Sequence, residues 1–356
     1  MNAVQNAAAD SLDETLRTYF AREHGEQLLR VQVQRVLRKP FSETTFLTAV
    51  TQRGIHRLVA KRQLAHPANT TLVREPDQAS VEFGILQLLH GKFTSIPHCA
   101  APRPIACLPA VNTVVMEHVD GELLVDRFRA VHYLGGRRRL DALKTAYFNC
   151  GLWLRCFQKF TGMRPAGPDA LRDVLIRCHE RLRMIEEAGH RAWSKQLHYQ
   201  TAELMQRCAD NLQGEDLLET GRHGDFGPWN VIVNRGNVTV IDFYGYRFGL
   251  VPIDALKMLV YLESVGLEIP NSARRVQALQ RAFLAGLGPA PAFPAALLLL
   301  CETMHRIAVI AGVVAAPQRP WLRRVLDRPV VQANVHWLIN RANDAALWRR
   351  MRRNAV

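Results

Sequence analysis

Apolar positions along this chain recur with two periods, and the change from one to the other divides it. Three short β-prone runs, LLRVQVQRVL, FLTAVTQ and HRLVAKRQL, are separated by turn formers. They predict an antiparallel meander over residues 28–64, preceded by a charged helix near 10–24. The polar connection RKPFSETT is expected to be the loop between the first two strands. PDQASVEFGILQLLHGK then shifts to helical spacing, with Asp77 as cap, Val81, Ile85, Leu88 and Leu89 on one face and a stop near Gly91. Pro97, Pro102 and Pro104 punctuate a loop, after which NTVVMEHVDGELL reads as a strand turning at Asp120 and Gly121.

Beyond residue 119 long helical periods take over, at 137–160, 169–187 and 194–212, and helices resume from 252 to the end. Between them NVIVNRGNVTVIDF predicts a hairpin turning at NRGN. The chain shows no internal repeat and no low-complexity tract. The plan is α+β and bilobal: a small antiparallel-sheet N-lobe over 1–118 and a larger, mostly helical C-lobe over 119–356. A length of 356 residues, 48% of them hydrophobic, is enough for two such cores.

Charge narrows the partners. Lysine and arginine number 46 against 32 acids, a formal net charge of +14, which favours an anionic partner. Seven cysteines without a C-x-x-C pair indicate neither a disulfide framework nor a zinc site, so they are expected to be small buried hydrophobes in a reducing compartment. The polar, acidic start MNAVQNAAADSLDETL has no secretory pattern, and a cytoplasmic location is expected, with peripheral contact at the inner membrane surface left open. FPAALLLLCETMHRIAVIAGVVAA is broken by Glu302, His305 and Arg306 and is expected to be a buried core helix rather than a membrane span.

The segment HGDFGPWNVIVNRGNVTVIDFYGYRFGLVPIDALKML sets two carboxylates and a carboxamide at the ends of short strands. Phosphoryl transfer uses such an inventory: hard oxygen ligands for magnesium and a carboxylate to orient an attacking hydroxyl. Here the chain resembles the aminoglycoside phosphotransferase and choline kinase group, relatives of the protein kinases. His223, Gly224, Asp225 and Asn230 match its H-G-D-x-x-x-x-N loop, Asp242 and Phe243 its I-D-F, and Gly249, Pro252 and Asp254 its G-x-x-P-x-D.

The resemblance covers residues 30–265 in order and implies a protein-kinase-like fold. It implies a catalytic base at Asp225, magnesium ligands at Asn230 and Asp242, and structural support from His223 and Asp254. The co-substrate would be ATP or GTP. Upstream it places Lys61 on the nucleotide's α- and β-phosphates, Glu82 as its helix partner, and Met116 to Val119 at a hinge facing the base. The family often uses glycines or serines in the loop between the first two strands. This chain has no glycine there, and Ser42, Thr44 and Thr45 are the candidate donors.

From Asp254 onward fourteen lysines and arginines face six acids, a balance that repels a polycation. The acceptor is therefore expected to be a neutral or anionic alcohol: a small molecule, a sugar or a glycan- or lipid-linked intermediate. Two alternatives stand beside it, an aminoglycoside-type antibiotic phosphotransferase and a catalytically silent kinase-like binding or scaffold protein with a basic surface. Nucleic acid is disfavoured because it leaves the ordered motif unexplained. Trp321, Trp337 and Trp348 among the tail's arginines read as a packed helix with a solvated basic face.

Overall fold

The computed structural model describes residues 3–39, 42–64, 78–133, 135–213, 215–289, 291–315 and 321–344. In chain order it opens with α1 (Ala3–His24), β1 (Leu28–Lys39), β2 (Ser42–Thr51), β3 (Ile55–Gln63) and α2 (Gln78–Phe93). β4 (Cys99–Ala100), β5 (Pro104–Leu108), β6 (Thr113–Glu117), β7 (Glu122–Leu123), α3 (Leu124–Tyr133), α4 (Arg137–Thr161) and β8 (Met163–Pro165) follow. Then come α5 (Ala170–Glu187), α6 (Lys195–Asp210), β9 (Leu218–Arg222), β10 (Val231–Asn234), β11 (Asn237–Val240) and β12 (Arg247–Leu250). Four helices close the chain: α7 (Ile253–Leu267), α8 (Ala273–Leu287), α9 (Ala295–Val314) and α10 (Trp321–Ala342).

Two compact units result, 1–122 with 231–246, and 123–230 with 247–356. The two-lobe division at 118/119 is corrected in two respects. The changeover falls at Glu122, and the hairpin 231–246 counts with the first unit. Its reason is a strand pairing: β11 runs parallel to β4, Val238 opposite Cys99, while β10 pairs antiparallel with β11. Arg235 and Gly236, both with positive φ, make the tight turn that the sequence NRGN predicts.

In the first unit the order β1-β2-β3-β6-β5 forms one antiparallel sheet. Strand alternation turns Leu47 and Ala49 of β2 and Leu58 and Ala60 of β3 into a core with Leu16 and Phe20 of α1 and Ile105 and Leu108 of β5. A fully buried leucine of this kind stabilises by about 1.5–3 kcal/mol. The expected loop RKPFSETT is mostly strand, because Ser42 to Thr45 pair on both sides within β2. Helix α2 forms as expected and runs on to Phe93, but its buried face is Ala79, Glu82, Ile85, Leu86, Leu89 and Phe93; Val81 and Leu88 face solvent. A charged residue inside the true stripe misled the pattern. The possible cap Asp77 lies outside the described residues.

The second unit buries residues of α5, α6, α7, α9 and α10 in one cluster. Its α4 and α8 touch through glycines: a Cβ at Gly151 would meet the backbone of Phe283, and one at Gly286 that of Phe148. Helix α9 is long and apolar enough to cross a membrane, yet two-thirds of it is buried, as expected of a core helix. Its Arg306 is buried against Glu302 and Glu263, each at 2.8 Å, and Asn334 at 3.1 Å, with the Trp337 ring 4.6 Å away. Trp337 thus packs as expected, while Trp348 and the side chain of Trp321 lie outside the described residues. The seven cysteines are free, five of them buried.

β4, β5, β8, β9, β12 and α3 were not anticipated. The strands among them are two to five residues long, too short for a period to register. In the second unit β12 pairs β9, and β9 pairs β8.

Candidate active site

The first unit gathers three charged side chains from distant parts of the chain. With Leu58 and Ala60 turned to the α1 side, period-two alternation sends Lys61 to the opposite face of the sheet, toward α2. Its Nζ donates to Glu82 Oε1 at 2.9 Å and Oε2 at 3.3 Å, and to Asp242. Glu82 is 1% exposed and also accepts the Phe243 backbone N–H at 3.0 Å. Asp242 follows β11 with φ 71°, left-handed backbone that non-glycine residues rarely adopt, aspartate more readily than most. Gln78 donates to the Tyr244 carbonyl and fixes the turn after Asp242.

Burial works against the Lys61 ammonium, but the carboxylates of Asp242 and Glu82 outweigh it and hold its pKa above the usual lysine value. For Glu82 burial comes first and pushes the carboxyl upward, opposed by Lys61 and reinforced by Asp242. Lys61 is therefore a fixed cation shared by two acids. Thr44 lies opposite Lys61 in the β2–β3 register, whereas Ser42 lies opposite Gln63. Met116 is buried on β6 beside Val59, and Val119 follows that strand, half-buried.

The second unit assembles its cluster mostly from neighbours in sequence. β9 delivers the chain into His223, Gly224 and Asp225, and Gly224 takes φ 81°. Asp254, on the first turn of α7, accepts the backbone N–H groups of His223 at 2.6 Å and Gly224 at 3.3 Å. A carboxylate at a helix N-terminus is also favoured by the helix dipole. His223 is fully buried and its Nδ1 accepts the Asp225 N–H at 3.2 Å. Phe226 anchors the loop, stacking on Trp153 of α4 at 5.7 Å.

The Asp225 carboxylate stays 45% exposed while three hydrogen-bond donors define its place. Oδ2 accepts Trp229 Nε1 at 3.0 Å and Asn230 Nδ2 at 2.8 Å, and Oδ1 accepts Lys257 Nζ at 2.5 Å. Asn230 Nδ2 also donates to the Asp225 carbonyl at 3.0 Å. Both partners are acceptors, so the amide nitrogen must face them, and the carboxamide oxygen is the atom with which Asn230 could ligate a metal. Lys257 further donates to the Gly224 carbonyl at 3.2 Å.

Lys257 and Trp229 escaped the sequence reading. Lys257 stands three residues after Asp254, so a helix starting at Ile253 puts both on one face, a signal available only once that start is known. Trp229 sits inside the motif at a position left as x. Thus Lys61, Glu82 and Asp242 form one cluster, and His223, Asp225, Asn230 and Asp254 another. Among the described residues no group of three or more His, Cys, Asp or Glu could by itself hold a metal.

The phosphotransferase enzyme family (APH) matches residues 33–297. No curated protein matches the chain. Among solved structures, a glucosamine kinase in complex with glucosamine, ADP and inorganic phosphate is 16% identical, with a TM-score of 0.56 over 92% of this chain and 84% of that one. A choline/ethanolamine kinase family protein from Mesorhizobium loti is 11% identical, with a TM-score of 0.53 over 96% and 98%. A choline kinase from Streptococcus pneumoniae is 10% identical, with a TM-score of 0.50 over 93% and 99%. At these identities the likeness is one of fold, and the fold is the protein-kinase-like one that the family resemblance implies.

Proposed function

Because the chain belongs to the phosphotransferase enzyme family, we propose that it moves the terminal phosphate of ATP or GTP, with Mg2+, onto a hydroxyl of a neutral or anionic acceptor. The observation that carries this reading is the Asp225 carboxylate: half-exposed, gripped on both oxygens, and ending a loop pinned by Asp254. A base that must accept or orient a hydroxyl proton needs that combination of access and fixed direction. Phosphoryl transfer leaves a protein mainly positioning and electrostatic work, which is what such a site supplies.

The roles follow from the donor atoms. Lys61, kept charged by Glu82 and Asp242, would take the α- and β-phosphates. Thr44, its neighbour across the strands, is better placed than Ser42 to add a hydroxyl there, and Met116 and Val119 would face the base. Magnesium takes few protein ligands and completes its shell with phosphate oxygens and water. The carboxylate of Asp242 and the carboxamide oxygen of Asn230 suit it without a larger acid cluster. When bound, the ion neutralises charge on the phosphates.

Glucosamine and choline, named for the structural neighbours, are cations, one a protonated amine and the other a quaternary ammonium. This chain differs in sign: fourteen basic residues against six acids from Asp254 onward, and Lys257 beside the base. That balance favours a sugar, a glycan- or lipid-linked alcohol or an already phosphorylated metabolite over a cation. The test is ATP consumption by the purified protein with magnesium across a panel of neutral, acidic and amino alcohols. Turnover is expected with neutral or acidic members. A clear preference for aminocyclitols would overturn the acceptor class, and tight nucleotide binding with no turnover on any alcohol would favour a silent kinase-like binding protein.

A further inference from the structure

In the second unit, β9, β12 and the start of α5 enclose a cavity of about 260 Å³ lined by none of the residues given roles above. Four arginines line it, Arg164, Arg177, Arg222 and Arg247, against Asp169, Asp173 and Glu219. Two of the acids are already engaged: Glu219 with Arg164 at 2.7 Å and Asp169 with Arg172 at 3.7 Å. Among the described residues, Arg177, Arg222 and Arg247 have no carboxylate within ion-pair distance.

Arg222 is the decisive side chain. It is 7% exposed, and its Nε is buried with no hydrogen-bond partner among the described residues. Gly249 makes its position possible: a Cβ there would come within 2.7 Å of the Arg222 Cδ. Burial lowers the pKa of Arg222, with Asp254 the strongest counter-influence, and burial also lowers that of Arg247, opposed first by Asp173 of the cavity wall. A guanidinium does not give up its proton in a protein, so the charge stays and calls for an anion.

We propose that this cavity is a binding site for a phosphate group, carried either by free inorganic phosphate or by a small phosphomonoester. Among the described residues, three arginines without an ion-pair partner line one small space, with Asp173 the one acid there left unpaired, and this excess of guanidinium charge matches an oxyanion of high charge and several acceptor oxygens. The first turn of α5 adds its N-terminal dipole on the same side. The volume lies below the range that holds drug-sized ligands, so a nucleotide is too large. Arg222 is the residue before His223, so a bound anion acts directly on the strand that leads into the Asp225 loop. The site nevertheless stands or falls apart from the kinase reading, because binding alone tests it.

The experiment is calorimetric titration and thermal unfolding of the full chain with inorganic phosphate, and separately with glycerol 3-phosphate. Chloride at equal ionic strength is the reference, and saturating ATP is present throughout to occupy any nucleotide site. Saturable binding with a rise in Tm is expected, weakened about tenfold or more in Arg177→Ala and in Arg247→Ala, as loss of a charge-assisted hydrogen bond implies. Arg191→Ala, an exposed arginine outside the cavity, should bind as the unaltered protein does. Tighter binding of the ester assigns the site to a metabolite, and tighter binding of phosphate to the free ion. Absence of saturable binding to either, or equal binding in both cavity variants, would overturn the proposal. Arg222→Met is a confirming variant only, since the other two keep the test open if it fails to fold.

Discussion

The two charge clusters solve opposite problems. Around Lys61 the partners are 21 and 181 residues away, and the lysine and glutamate are almost fully withdrawn from water. Around Asp225 most partners lie within five residues, and the acid keeps nearly half its surface. A binding group that contacts a fixed phosphate gains from burial and preorganisation, because its charge is then poorly screened. A base that must meet an incoming hydroxyl gains from exposure, provided that short local bonds fix its direction. One fold thus makes a rigid site either by long-range ion pairing or by local loop geometry.

The sharpest test of the local cluster is Asp225→Asn, which keeps the shape and removes the proposed base. Phosphate transfer should fall by roughly 10²–10⁴-fold while nucleotide affinity stays nearly constant. Steady-state kinetics beside a binding titration measures both, and parallel losses would mean the loop is not separable from nucleotide binding. For the buried cluster, Lys61→Met should cost about 3–5 kcal/mol in urea unfolding, because Glu82 is left charged and unpaired. Pairing it with Glu82→Leu should recover much of that loss.

A smaller contrast lies within the buried cluster. Asp242→Ala should weaken magnesium-dependent nucleotide binding by about a hundredfold and Lys61→Ala by about tenfold, if the acid would hold the ion. Titrations with and without magnesium separate them, and equal losses would deny Asp242 that role.

Acid titration probes the support beneath the local cluster. His305 is buried in α9 and donates to the Ile253 carbonyl, the residue before Asp254, at 2.8 Å. Burial, then Lys257, Arg181 and Arg222, hold its pKa well below the usual value, against the opposing pull of Ile253. Below about pH 6.5 the unfolded chain takes up a proton that the folded one refuses. Stability from this site is present above that pH and falls by about 1.4 kcal/mol per unit below it, until the folded pKa is reached. His305→Gln should flatten that dependence in unfolding curves taken from pH 7 to 5. The mildest change, Trp229→Phe, removes one of the hydrogen bonds on Asp225 and should lower kcat by about fivefold, near 1 kcal/mol. A loss as large as that of Asp225→Asn would show Trp229 to be doing more than orienting the acid.

What the sequence determined by itself was whatever is local or strictly periodic. The three-stranded meander, the helix over 78–93, the hairpin at NRGN and the long helices all carry their signal within a few turns or strands. The loop cluster is of the same kind, since His223, Asp225 and Asn230 meet through bonds spanning two to five residues.

Tertiary structure decided the remainder. By periodicity Glu82 looks like a surface charge, and only the family resemblance pairs it with Lys61 of β3, so the buried face of α2 was misjudged at Val81 and Leu88. β9 contains Glu219, Thr220 and Arg222, all buried, and no period reveals that. The hairpin 231–246 counts with the first unit through the pairing of β11 with β4, although its place in the chain suggests the second. Lys257 reaches Asp225 across 32 residues only because α7 begins where it does. Each is a long-range pairing of polar groups, whose energy depends on a partner that composition and spacing do not name.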